Sequence, residues 1–217
     1  MTDDMTNQPD AAQPLPVAER IAAEEQAVNH IRKDGCPPDV IAAAERAEDA
    51  IRRLIADPAA RASGDERAGL LAIKRLLYNA AADCWPGWSV NSVPCSEDAL
   101  ERALAFARRS ADLVDQLDLG LKQQGTAQWL IGALQLALKS FDAAAASFSR
   151  AEALYEQAGA PLLTLLARGY GAIVREATGR SPHEGSLEET LTAIAAGDFP
   201  DGAAFIDQLA TARKVFV

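Results

Sequence analysis

Residues 126–159 read TAQWLIGALQLALKSFDAAAASFSRAEALYEQAG, and two apolar runs within them meet at Lys139-Ser140. The first run carries Trp129, Ile131, Gly132, Leu134, Leu136 and Leu138. The second carries Phe141, Ala144, Phe148, Ala151 and Leu154 at three- and four-residue spacing, one stripe of a helix. Two amphipathic helices joined by so short a link fold back as an antiparallel hairpin.

The rest of the chain is composed for the same kind of element. Alanine is abundant, aromatics are only 6% of the 217 residues and β-branched runs are scarce, which favours helix over sheet. A net charge of −10 argues against nucleic acid or an anionic membrane as partner, because phosphate binding needs a basic face. A basic segment of another protein is compatible with it. No run of apolar residues is long enough to span a bilayer. The opening MTDDMTNQPDAAQPLP lacks the basic start and apolar core of a signal peptide, so a cytoplasmic protein is expected. Cys36, Cys84 and Cys95 are odd in number and widely spaced, which suits reduced thiols better than a disulfide framework.

In chain order, residues 1–15 are rich in Pro, Gln, Asn and Asp and are expected to be disordered. A single helical domain follows over 16–217, with N-terminal helices in 16–58 and hairpin repeats with a terminal capping helix in 65–217. The first helix starts at Pro16 and ends at Asp34-Gly35, with Gly35 as a left-handed cap. The second opens on Pro37-Pro38-Asp39 and turns a charged face outward, with Glu48 and Arg52 as an exposed i,i+4 pair. The helix over 65–83 has too many apolar positions for one stripe and is expected to be buried on two sides. Residues 84–98, CWPGWSVNSVPCSED, form a loop; Ser96 caps the helix after it. Further helices are expected over 162–178, 187–196 and 203–215, about nine in all.

The central hairpin resembles a tetratricopeptide repeat, a helix–turn–helix of about 34 residues with W-x2-L-G-x2-Y followed by A-x3-F. Gly132 holds the small position of the first helix, after Ile131 in place of Leu; Ala144 and Phe148 match the second-helix element, with Ala151 three residues on. Trp129 lies one position nearer the glycine than the motif has it, Gln135 stands in the Tyr position, and no Pro follows before Pro161. Arg168-Gly169-Tyr170-Gly171-Ala172 echoes Trp129 to Ala133, aligning Gly171 with Gly132. The resemblance implies an all-α fold: a right-handed stack of antiparallel helix hairpins, an α-α superhelix that binds a protein or peptide on its concave face.

On that alignment Trp129 lines the concave groove, with Arg168 and Arg175 on the same face of the next repeat. An aromatic beside two guanidiniums suits an acidic or C-terminal peptide; the alternative is Trp129 in the core and both arginines solvated. Trp85 and Trp88 flank a Pro-Gly turn and read either as an exposed interface, including one for a homodimer, or as a plug folded back into the stack. Cys84 and Cys95 lack the spacing of a metal site, and the only histidines are His30 and His183. Neither a phosphate-binding glycine loop nor a hydrolase motif is present, so no enzyme, cofactor or metal is expected. The function this supports is a non-catalytic adaptor or assembly factor. A small acidic chaperone for an assembling partner and a homo-oligomeric helical protein are the alternatives.

Overall fold

The computed structural model describes residues 15–88, 95–180 and 185–217. Among them lie ten α-helices, a 3-10 turn and no strand. The helices are α1 (Val17–Asp34), α2 (Pro37–Ile55), α3 (Pro58–Ser63), α4 (Asp65–Asp83), α5 (Glu97–Gln116), α6 (Leu121–Ala137), α7 (Phe141–Gln157), α8 (Pro161–Ala177), α9 (Leu187–Ala196) and α10 (Gly202–Phe216); the 3-10 turn is Pro86–Trp88. The expectation for 1–15 falls, apart from Leu15, outside the described residues. The short α3 is the helix that patterning missed: Pro58, taken as a stop for α2, also opens a new turn.

Local chemistry sets the helix starts. Ser96 Oγ accepts from the Ala99 amide at 3.2 Å to cap α5. Ser186 and Glu189 form a reciprocal capping box at α9. Gly35 is not a left-handed cap: its φ of −82° and ψ of 153° are extended. A Cβ there would lie 2.6 Å from the Ile31 carbonyl oxygen, so close approach, not handedness, calls for glycine.

Four consecutive helices end in one turn. Asp118, Lys139, Gly159 and Gly179 all take positive φ, at 49°, 58°, 64° and 66°. The next residue's amide then bonds the carbonyl five residues back: Leu119 to Val114, Ser140 to Gln135, Ala160 to Tyr155 and Arg180 to Arg175, at 2.8–3.1 Å. This is the Schellman arrangement, which satisfies the last carbonyls and reverses the chain. Because α6, α7 and α8 are each 17 residues long, the identical links make the pattern regular. With α6 beginning at Leu121 and α8 at Pro161, the hairpin repeats after 40 residues, longer than the tetratricopeptide signature.

Neighbours in sequence are neighbours in space. α1 packs on α2, α4 on α5, α6 on α7 and α8 on α9, with α5 against α6 and α7 against α8 joining the pairs. The first helices of successive hairpins also touch, α4 with α6 and α6 with α8. α4 is covered by α1, α2 and α5, the two-sided burial its apolar excess implies. One apolar cluster of buried residues extends from Ile21 in α1 to Ala212 in α10. Small residues permit the close crossings: a Cβ on Gly132 would lie 2.9 Å from the buried Phe148 ring.

Charged residues staple the N-terminal helices to this stack. Arg32 pairs with Asp83 and Arg75 with Glu25, both joining α1 to α4; Arg102 pairs with Glu45, joining α5 to α2. Glu48 is not the exposed partner that helix patterning suggested. It is 1% exposed and receives both Arg52 from its own helix and Arg109 from α5. Burial makes its partners indispensable, whereas both guanidiniums are half-exposed and reach water. Arg109→Met, which leaves Glu48 with Arg52 alone, is therefore expected to cost about 2–3 kcal/mol, and Glu48→Met, which removes the buried charge, to cost less. Chemical denaturation of the two variants checks the order.

The shared turn yields a second expectation. Lys139 bears a side chain in the left-handed region, where glycine is free of that penalty. Lys139→Gly should stabilise by about 0.5–1 kcal/mol, raising the melting temperature by about 1–4 °C. A thermal melt with no gain would show that the Lys139 side chain compensates for its backbone.

Candidate functional site

The tryptophans singled out by sequence converge. After α4 ends, Cys84 and Trp85 lead into the 3-10 turn, and the segment lies against α6, α8 and α10. Gly87 makes the turn possible, because a Cβ there would sit 2.1 Å from the Trp85 indole. Trp85 is 1% exposed and packs edge-on to Trp129 of α6 and Tyr170 of α8, both with centroids at 5.6 Å; Phe216 of α10 stacks on it at 6.3 Å. Trp88 closes the outside: it lies 4.9 Å from Trp85 and 5.9 Å from Trp129, donates its indole N–H to the Ala82 carbonyl at 2.7 Å, and stays 48% exposed. Of the two readings of this segment, the structure shows the plug.

Trp129 lies in the core and not on an open groove. It is 5% exposed, with Trp85, Trp88 and Tyr170 around it. Arg168 and Arg175 do not join it. Arg168 Nε donates to Glu152 Oε1 of α7 at 2.8 Å, and Arg175 Nη2 donates to the Gly185 carbonyl at 2.6 Å before α9. The reason is register. Aligning Gly171 with Gly132 sets the hairpins 39 residues apart, whereas the helices start 40 apart. One residue turns a side chain by about 100° around a helix. Trp129 and Gly169 are both ninth in their helices. At Gly169 the missing side chain leaves room for Leu209 of α10, where a Cβ would meet it at 2.7 Å. Gly171 meets no tight contact of this kind. The Trp129 face is thus occupied twice over, by the tryptophan segment on α6 and by α10 on α8.

The polar groups of this region are unequally served. Gln208 Nε2 of α10 donates to the Tyr170 hydroxyl at 3.0 Å, while burial pushes that phenol well above its usual range. Gln135, in the signature's Tyr position, accepts from Ser147 across the hairpin at 2.7 Å. The buried indole N–H groups of Trp85 and Trp129, by contrast, find no acceptor among the described residues. Each donor left so costs about 1–3 kcal/mol of the packing gain. Arg168 instead borders a shallow groove of about 350 Å³ with Glu156, Pro161, Thr164 and Leu165, away from the tryptophans. The acidic residues Glu25, Glu188 and Glu189 have local tasks: Glu25 binds Arg75, Glu188 binds Arg213 and Glu189 caps α9. His30 is exposed on α1, and His183 lies outside the described residues.

Tyr170, Phe216, Gly169 and Leu209 complete the site and were missed as a set. Counting from helix starts would have paired Gly169 with Trp129; nothing in the sequence marks Phe216 as a partner of Trp85. No family model, curated protein or solved structure matches the chain. Among the described residues, no helix is long and apolar enough to cross a membrane.

The two plug tryptophans should differ in weight. Trp85→Ala removes a fully buried ring shared by three elements and is expected to cost about 3–5 kcal/mol, Trp88→Ala about 1 kcal/mol. Equal losses in denaturant titrations would contradict the plug geometry.

Proposed function

We propose that the chain is a non-catalytic protein-interaction module that receives a segment of a partner protein on the Trp129 face, in the place now held by its own Trp85–Trp88 segment. One observation carries this reading: regular helices grip an irregular aromatic segment between α6, α8 and α10, yet two indole donors inside the grip lack acceptors. An extended peptide brings backbone carbonyls that meet such donors, and aromatic anchors that fill such a space. The hairpin stack supplies the rigid wall, and its resemblance to tetratricopeptide arrays supports the same use of that wall. The net charge of −10 favours partners with basic flanks around the anchor.

In this reading the chain's own segment competes with the partner. Its tethering gives it a high effective concentration, so loosening it raises apparent affinity without a new contact. Affinity capture from native lysate with quantitative mass spectrometry tests this on wild type, Trp88→Ala and Trp129→Ala, once all three are shown to be folded. A protein held more strongly by Trp88→Ala than by wild type, and lost in Trp129→Ala, is the expected result. A partner held equally by all three places the binding surface elsewhere, and no partner in any arm removes the adaptor reading.

A further inference from the structure

The plug is bracketed by two thiols. Cys84 follows the last residue of α4, and Cys95 lies just before the Ser96 cap of α5. Because α4 and α5 pack side by side, Cys84 and Cys95 come together at the same apolar cluster, where each thiol perturbs the other. The Cys84 thiol is buried, reaches the Ala80 carbonyl at 3.4 Å and abuts the Trp85 that anchors the plug. Cys95 is half-buried and is the more accessible of the pair. Among the described residues no group of three or more His, Cys, Asp or Glu is arranged to hold a metal ion, so the pair is a dithiol, not part of a ligand set. The sequence suits reduced thiols better than a disulfide framework, and all three cysteines are free in the structure.

From this juxtaposition we infer that Cys84 and Cys95 form a reversible disulfide that latches the Trp85–Trp88 plug in place, with a low-molecular-weight disulfide such as oxidised glutathione as the oxidant. Cys95 loses its proton and attacks one sulfur of that disulfide, forming a mixed disulfide and releasing the first small thiol. Cys84 then loses its proton and attacks the Cys95 sulfur, forming the Cys84–Cys95 bond and releasing the second small thiol. Two protein thiols are oxidised, one small disulfide is reduced to two thiols, and the two protons end on those thiols. Burial pushes both thiols up, so neither is a ready thiolate at neutral pH and the exchange is slow, in the minutes-to-hours range of disulfide chemistry. The closed bond would tie the last turn of α4 to the first of α5 and restrain the Trp85–Trp88 segment. The latch rests on the proposed exchange of plug for partner, but the bond and its effect on the plug are measurable without any partner.

The test uses the full chain equilibrated in glutathione redox buffers, then acid-quenched, alkylated under denaturing conditions and digested with trypsin. Both cysteines fall in one tryptic peptide, residues 76–102. The expected product is that peptide without alkyl labels and lighter by two hydrogens, while Cys36, exposed on the α1–α2 link, stays alkylatable after mild reduction of mixed disulfides. The folded chain should prefer the bond by roughly tenfold or more over the same chain in denaturant, because folding presets the contact. Cys36→Ser should leave the bond unchanged and Cys95→Ser should abolish it. In the oxidised wild type the Trp85 and Trp129 indole protons should exchange more slowly than in the reduced form, read by NMR. A 76–102 peptide that stays fully alkylated, or a preference no greater than in denaturant, overturns the site. A bond that forms without slowing indole exchange overturns the latch. If both hold and no partner is ever captured, the adaptor reading fails alone.

Discussion

The Trp85 indole is the contact on which the arrangement turns. It touches Trp129, Tyr170 and Phe216, from three helices that are far apart in sequence. Most helices here pack against their neighbours in sequence, so most interfaces are local. Trp85 is different: one ring from the link after α4 is wedged among α6, α8 and α10, and it fixes the last helix against the middle of the stack. Gly87 admits the ring by leaving its own side empty, Gly169 admits α10 beside it, and Phe148 carries the aromatic contact on to Tyr170. Removing any one of these changes the fit of the others, because a close-packed interior transmits volume changes.

Charge has a separate task. Several arginines of this acidic chain are committed to pairs across helix interfaces: Arg32, Arg75, Arg102 and Arg109 fasten α1 and α2 to α4 and α5, and Arg168 and Arg213 do the same further along. Exposed pairs of this kind add little stability each. Their value lies in register, since a guanidinium fork meets a carboxylate in few orientations. Glu48 shows the principle at its sharpest, a buried carboxylate between two arginines that holds α2 to one position along α5. Even with its arginines committed in this way, the chain keeps a net charge of −10.

The filled Trp129 face changes how a helical array of this sort is read. An open groove binds whatever fits; a groove that holds a segment of its own chain binds only what outcompetes it. In the proposed reading, specificity rests on the difference between two aromatic segments in the same space, and the orphaned indole donors bias that difference toward a peptide carrying acceptors.

Much of this was written in local pattern. The stripe Phe141, Ala144, Phe148, Ala151 and the break at Lys139-Ser140 determine a helix hairpin, because apolar periodicity and a short link leave a chain few other options. Ser96 as a cap and the double burial of α4 were legible for the same reason: they depend on residues within a turn or two. Register was not legible. Choosing Gly171 over Ala172 as the counterpart of Gly132 differs by a single residue, and that residue sends Arg168 and Arg175 to other neighbours and leaves Trp129 facing an aromatic cluster. Nor was the partner of each buried ring, since contacts between distant segments follow from the packing of whole helices and leave no periodic trace. The chain alone determined that it folds into helical hairpins; the tertiary structure decided that the Trp129 face is already occupied.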